Sequence, residues 1–314
     1  MKMTAAIFGT YGPPDVIHLA QGSAPNPGPD EVLLRTRFAA VNPIDCATRA
    51  GRGVPVERFP AVLGWDVAGT VIATGREVSE LHEGDEVFGM PRFPQHVGCC
   101  ADHVLSPATS VIRIPDGVAA REAAAAPMVA LTAWQALDPA ARALDGQKIL
   151  VHGAAGGVGH IAVQIAKYSG AQVIATASAR NRAFLMGLGA HEVHDYTQSP
   201  FEDAIGEVDF ALDTRGGTDL LRLIQTVKPG GTIATLKGDG DAAARAAATA
   251  KNVTLRIVKV GPDRDALIQI GELLGDGRIR VEVESEFPFY DIALAHETVE
   301  AGHVRGRVVL RIGS

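Results

Sequence analysis

His152-Gly-Ala-Ala-Gly-Gly-Val-Gly-His160 is the stretch on which the fold of this chain turns. The apolar run Lys148–Val151 leads into it, and Ile161–Lys167 continues from it with helical character. Read together, these segments are a strand, a phosphate loop and a helix. Such a loop lets the backbone approach a pyrophosphate. The helix start adds unsatisfied N–H groups and a partial positive charge. Glycines also gather wherever a turn needs φ > 0. Here the flanking elements favour dinucleotide binding, as does the roughly 30-residue span to the end of the next strand, Gln172–Ala177.

The second strand runs into Ser178-Ala-Arg-Asn-Arg182. A site for NAD usually carries an acid about 20 residues beyond the glycines, bonded to the adenosine ribose. No Asp or Glu occurs between Gly159 and Glu192. A 2′-phosphate would be repelled by an acid but can be held by the Ser178 hydroxyl and paired by Arg180 or Arg182. This predicts NADPH in preference to NADH. The alternative is that both arginines are solvated residues at a helix start.

Outward from the loop, strand-like runs alternate with helical ones. The strands expected are Lys148–Val151, Gln172–Ala177, Glu192–Tyr196, Val208–Leu212, Gly231–Leu236 and Thr254–Val258. That alternation predicts a doubly wound parallel sheet over 121–260. Residues 1–120 read differently. Glu31–Phe38 alternates as a half-buried strand, and Val67–Thr74 and Asp85–Gly89 follow between Gly and Pro punctuation. Arg280–Phe287 and Arg307–Ile312 return to strand character, so 261–314 is placed with the first domain. Asp241–Ala250, rich in alanine, fits one helix.

The 314 residues suffice for two domains with cores. A formal charge of −7 gives no reason to expect nucleic acid or an anionic membrane as partner. No apolar run reaches the roughly 18 residues of a membrane helix, and the N-terminus lacks a signal-peptide pattern. The three cysteines, Cys46, Cys99 and Cys100, suggest no disulfide framework, so a cytoplasmic location is expected. Adjacent Cys99 and Cys100 read as small strand residues rather than a redox pair.

Further motifs carry a resemblance. They include Val41-Asn-Pro-Ile-Asp45, Leu63-Gly-Trp-Asp-Val-Ala-Gly-Thr-Val71, Gly84-Asp-Glu-Val-Phe-Gly89, Pro127–Trp134, Asp213-Thr-Arg-Gly-Gly217 and Gly302-His-Val-Arg-Gly-Arg307. In this order, over nearly the whole length, the chain resembles the medium-chain dehydrogenase/reductase superfamily. The likeness is to its zinc-independent quinone oxidoreductase (zeta-crystallin-like) branch. The resemblance implies an α/β protein with a GroES-like β-barrel catalytic domain, a Rossmann domain for NADPH, and a homodimer joined through the Rossmann sheet. It implies that Asn42 and Thr132 lie at the nicotinamide and are the catalytic candidates. Gly156, Gly157 and Val158 would hold the pyrophosphate. Ser178, Arg180 and Tyr196 would face the 2′-phosphate, and Arg307 would lie near the cofactor.

Zinc-dependent members of the superfamily supply a contrast. Catalytic zinc needs about three protein ligands and an open position. Cys46 stands where those enzymes have their first cysteine, but Gly64-Trp65-Asp66 replaces the triplet with the ligating histidine. No metal is expected, and Cys46, like Arg52, becomes a candidate for lining the substrate site. Without a Lewis acid, hydride transfer favours an acceptor that is already electrophilic, a quinone or an α,β-unsaturated carbonyl. The Asn42 amide, the Thr132 hydroxyl or backbone N–H groups would then meet the developing oxyanion. The residue after Asp45 is a cysteine where some relatives have a tyrosine, so no dedicated proton donor is assigned there. The other readings are an enoyl-thioester reductase and a non-catalytic NADPH-binding sensor or structural protein. His152 reads as a cofactor contact or a bonded strand-end residue, and Arg215 is left open between cofactor and solvent.

Overall fold

The computed structural model describes residues 1–95, 98–141, 144–237 and 242–313, with the backbone alone at 138–141. Two compact units emerge, Met1–Leu131 with Gly261–Ser314, and Thr132–Val260.

In the first unit, β1 (Lys2–Phe8) pairs antiparallel with β2 (Ile17–Ser23). β3 (Glu31–Val41) is followed by the short helix α1 (Pro43–Arg49), and β4 (Ala61–Val62) closes on β1. Next come β5 (Asp66–Thr74), β6 (Glu86–Gly89), β7 (His103–Pro107), β8 (Val111–Arg113) and α2 (Ala120–Ala125). Helix α3 (Pro127–Ala141) carries the chain out of this unit.

Glu31–Val41 is not the half-buried strand that alternation predicts. It pairs antiparallel with β5 and β7, and also with the chain's last strand. Besides these neighbours, helix α2 (Ala120–Ala125) packs against it, and it is buried along most of its length. Helix α2 packs on β3, β5 and β6, so the first break between units falls after Leu131, beyond the change of texture at 121. One apolar cluster gathers Val32, Leu34, Val67, Val71, Val87 and Val104. A second gathers Phe8, Val41, Leu63, Ile292 and Leu310.

The second unit is built on six parallel strands: β9 (Lys148–His152), β10 (Gln172–Ala177), β11 (Glu192–Asp195), β12 (Val208–Asp213), β13 (Val227–Thr235) and β14 (Thr254–Ile257). Their order in the sheet is β11-β10-β9-β12-β13-β14. Helices α4 (Gly157–Tyr168), α5 (Arg182–Leu188), α6 (Phe201–Ala204), α7 (Thr218–Thr226) and α8 (Ala242–Ala250) alternate with them. The expected helix over Asp241–Ala250 is α8; Asp241 itself lies outside the described residues. Ile149, Leu150 and Val151 are fully buried, as a central parallel strand covered on both faces requires. Strand order reverses between β10 and β12, on either side of β9, and the glycine loop leaves the end of β9 there. In doubly wound sheets that is where ligands bind.

The chain re-enters the first unit with α9 (Arg264–Gly275), β15 (Val283–Pro288), α10 (Ile292–Glu300) and β16 (Arg307–Arg311). β16 pairs with β3, completing a seven-stranded sheet.

Candidate functional site

The glycines of the loop divide the work. Gly153 takes φ +73°, the left-handed conformation that turns the chain off β9. Gly159 lies where helix meets turn: a Cβ there would come within 2.5 Å of the Gly153 carbonyl oxygen and 2.7 Å of the Ala154 Cα. Gly156 is different. Its φ of −79° suits any residue, and a Cβ would meet nothing closer than 3.6 Å. Bare backbone at this position meets no need of the fold, but it suits the approach of a diphosphate.

Gly156 is the N-cap of α4, and no side chain caps that helix. The first bond into the helix runs from His160 N–H to the Gly156 carbonyl. The amides of Gly157 and Val158 therefore belong to the group a helix start leaves for an external acceptor. The cradle fits the pyrophosphate of a dinucleotide.

At the end of β10, Ser178 is half-buried and receives a bond from the Asn181 amide at 3.3 Å, while Arg180 is exposed. Arg182 is engaged elsewhere, donating to the Val193 carbonyl at 2.8 Å. Tyr196 follows β11 and is 46% exposed. Asp195, opposite Ala177 in the sheet register, accepts from the Ala179 amide and from Thr197 N–H and Oγ1. Those bonds hold its carboxyl below the usual range. Thr132 lies on α3 and is 8% exposed. Arg215 is exposed; its stem passes beside Gly153 and its amide donates to Asp213 Oδ1.

In the first unit the predicted residues enclose a buried cluster. Asn42 is the N-cap of α1, where Pro43 supplies a fixed φ and Asp45 accepts the Asn42 N–H at 2.7 Å. The Asn42 carboxamide donates to Asp66 Oδ2 at 2.9 Å. Asp66 also accepts from Arg307 Nη2 and from the Met128 amide, both at 2.8 Å. Burial pushes the Asp66 carboxyl up, and Arg307 and these hydrogen bonds oppose it. Asp45, fully buried, is pushed up to about 7, chiefly by desolvation.

Arg307 is 3% exposed, with Nε on the Ala125 carbonyl and Nη2 on Asp66. These bonds make it an internal brace. Cys46 is 3% exposed in the core, its thiol pushed up by burial and directed at the His296 carbonyl. It presents no surface to a substrate, contrary to the expectation. Arg52 is exposed in the turn after α1. Trp65 is 1% exposed, with its indole N–H on the Gln95 carbonyl at 2.7 Å. Among the described residues no cluster of three His, Cys, Asp or Glu side chains could hold a metal ion.

Comparison with known proteins agrees with this architecture. The family model described as "Alcohol dehydrogenase GroES-like domain" matches residues 28–116, and "Zinc-binding dehydrogenase" matches 188–310. The chain is 31% identical to mouse NAD(P)H oxidoreductase RTN4IP1, mitochondrial, over 99% of its length and 89% of that protein. It is also 31% identical to 2-methylene-furan-3-one reductase of Solanum lycopersicum, over 98% of this chain and 79% of that one. The solved structure of the quinone oxidoreductase from Coxiella burnetii superposes with a TM-score of 0.93 at 33% identity, covering all of both chains. The chain belongs to the medium-chain dehydrogenase/reductase superfamily. It falls in the quinone-oxidoreductase branch and is an NAD(P)H-dependent oxidoreductase.

Within this superfamily member, two functional-site features escape a reading along the chain. Asp195 lies beyond the roughly 20-residue spacing at which an acid follows the glycines, because it stands on β11 and reaches the end of β10 sideways. The expected strand Glu192–Tyr196 already placed an acid at that end of the sheet, and this was the available signal. The second feature is the set of partners of His152, which come from two other segments. Its ring lies between Thr176 Oγ1 at 2.8 Å and Asp219 Oδ2 at 3.2 Å.

Proposed function

We propose that this protein is an NADPH-dependent, zinc-independent reductase of quinones or α,β-unsaturated carbonyls, acting as a homodimer. One observation carries the reading. Where zinc-dependent relatives need a ligating histidine stands Trp65, packed inside the fold with its N–H committed. Cys46, the would-be first ligand, is buried in the core with its thiol directed at the His296 carbonyl. These residues do not fit a catalytic zinc.

When bound, the nicotinamide supplies the hydride. The chain's own part is to hold and orient. The open amides after Gly156 take the diphosphate, and Ser178 and Arg180 favour the 2′-phosphate, while Asp195 beside them spends its charge on the N–H groups of Ala179 and Thr197. The Asn42 amide is committed to Asp66, which leaves the Thr132 hydroxyl and backbone N–H groups as donors to the oxygen that gains negative charge. A quinone accepts the hydride and a proton and leaves as the hydroquinone; its reduced oxyanion is stable enough for water to deliver that proton. Support for the homodimer is the position of β14 at the end of the sheet order, with β13 as its one neighbour among the described strands.

The test is nicotinamide oxidation with a simple benzoquinone, with and without a strong chelator, comparing NADPH with NADH. Turnover that survives chelation and is faster with NADPH is expected. Loss of activity on chelation would overturn zinc independence, and equal use of both cofactors would overturn the phosphate assignment.

A further inference from the structure

The start of the glycine loop is tied down by a chain of buried polar groups. Gly153 N–H donates to Thr176 Oγ1 at 3.1 Å, and Ala154 N–H to the Thr176 carbonyl at 3.1 Å. Thr176 is fully buried. Its hydroxyl carries one proton, and the His152 Nδ1 lies 2.8 Å away. On the other side of the ring, Nε2 faces the Asp219 carboxylate at 3.2 Å. A lone pair on Nε2 would be repelled there, so Nε2 carries the proton and Nδ1 accepts from Thr176. Asp219 is held in turn by Arg222, which donates to its Oδ1 at 3.1 Å and grips both oxygens of Glu202 at 2.7 Å.

We propose that His152, as the neutral Nε2–H tautomer, is a positioning residue for cofactor binding: it orients the Thr176 hydroxyl that fixes Gly153 N–H, with Asp219 holding the tautomer. The inference rests on the reading of Gly153–Gly159 as the cofactor loop. The groups facing the ring are Asp219 on α7, Asp213 at the end of β12 and Arg215 just beyond it, with Phe201 of α6 against its face at 4.9 Å between centroids. Burial, the largest influence, keeps the imidazole neutral below the ordinary histidine range. An added proton on Nδ1 would leave the Thr176 hydroxyl proton without its acceptor in a site closed to water. The turn at Gly153 sets the direction of α4, and with it the aim of the amides after Gly156. Small errors in such an array cost binding.

Two measurements test this. In the cofactor-free protein, long-range 1H–15N spectra at pH 6.5 are expected to show His152 as neutral Nε2–H. An imidazolium or an Nδ1–H ring would overturn the proposal. The dissociation constant for NADH, which lacks the 2′-phosphate and so bypasses Arg180, is then measured by fluorescence. His152→Phe and Thr176→Val are each expected to weaken binding about tenfold, and the double variant no more than either alone. His152→Asn, whose Oδ1 can replace Nδ1 as acceptor, is expected to recover most of the loss. Additive losses, or unchanged affinity in a folded variant, would refute the relay. Should His152→Phe fail to fold, Thr176→Val and the tautomer decide. Gly156→Leu separates the two readings. If it retains NADH, the loop assignment fails. If it alone abolishes binding, only the relay fails.

Discussion

Around Asp66 the hydrogen bonds close on one another; around the glycine loop they lead outward and stop at open backbone. In the first cluster, Asn42, Arg307 and Met128 N–H converge on one carboxylate that is 0% exposed. In the second, His152, Thr176 and Asp219 fix the base of a turn whose next amides have no side chain to cap them. Both contain buried charge or buried polar groups. One is a brace complete in itself, and the other is a mount left incomplete for a ligand. Buried polarity therefore marks a binding site only where its chain of bonds ends in a group still waiting for a partner.

The largest effect should come from breaking the brace. Arg307→Met would strand the Asp66 carboxylate in the core and is expected to cost about 3–5 kcal/mol of stability in chemical denaturation. Arg222→Met, its partly exposed counterpart beside the mount, should cost no more than about 1 kcal/mol. Similar losses for the two would dissolve the distinction.

A smaller effect should touch the ligand alone. Arg180→Ala is expected to weaken NADPH about tenfold by calorimetry while leaving NADH and the unfolding midpoint nearly unchanged. Equal losses for both cofactors would remove Arg180 from the phosphate site.

A further signal lies in the pH dependence of the first unit, where two buried groups oppose each other. Asp45 titrates at 3.8 unfolded and about 7 folded, so the folded state holds the extra proton and stability falls as pH rises across that interval. His296 is held down to about 3 by burial, with Arg49 adding to the effect. Below 6.5 the unfolded chain takes the extra proton, so its contribution is lost as pH falls. The two slopes largely cancel from about pH 4 to 6.5. Asp45→Asn should uncover the rising limb of His296, at most about 1.4 kcal/mol per pH unit. A variant as flat as the parent would show that Asp45 carries no such shift.

The same contrast explains what was legible along the chain. The parallel sheet and its glycine loop are local patterns, each strand–loop–helix unit being contiguous, and they read directly. β3 reads as half-buried, but α2 and α10, which pack against it, come from far along the chain. β13 begins at Val227, ahead of the expected Gly231, because pairing with β12 extends across a register shift that composition does not reveal. Arg307 could be placed by its motif, but its partner Asp66 lies 241 residues away, and nothing local announces the pair. Asn42 stands in its motif as a candidate for the nicotinamide, and the carboxylate that turns its amide inward, Asp66, lies 24 residues further on.

Gly156 and Gly159 stand three positions apart and carry different histories. At 159 a side chain would collide with backbone, so any selection that demands folding keeps glycine there. At 156 there is room. A population of variants selected only for a folded, soluble chain should drift freely at 156. One selected for turnover should not. The smallest residue in the loop thus records use rather than architecture, and comparing the two selections would read that record without any ligand in view.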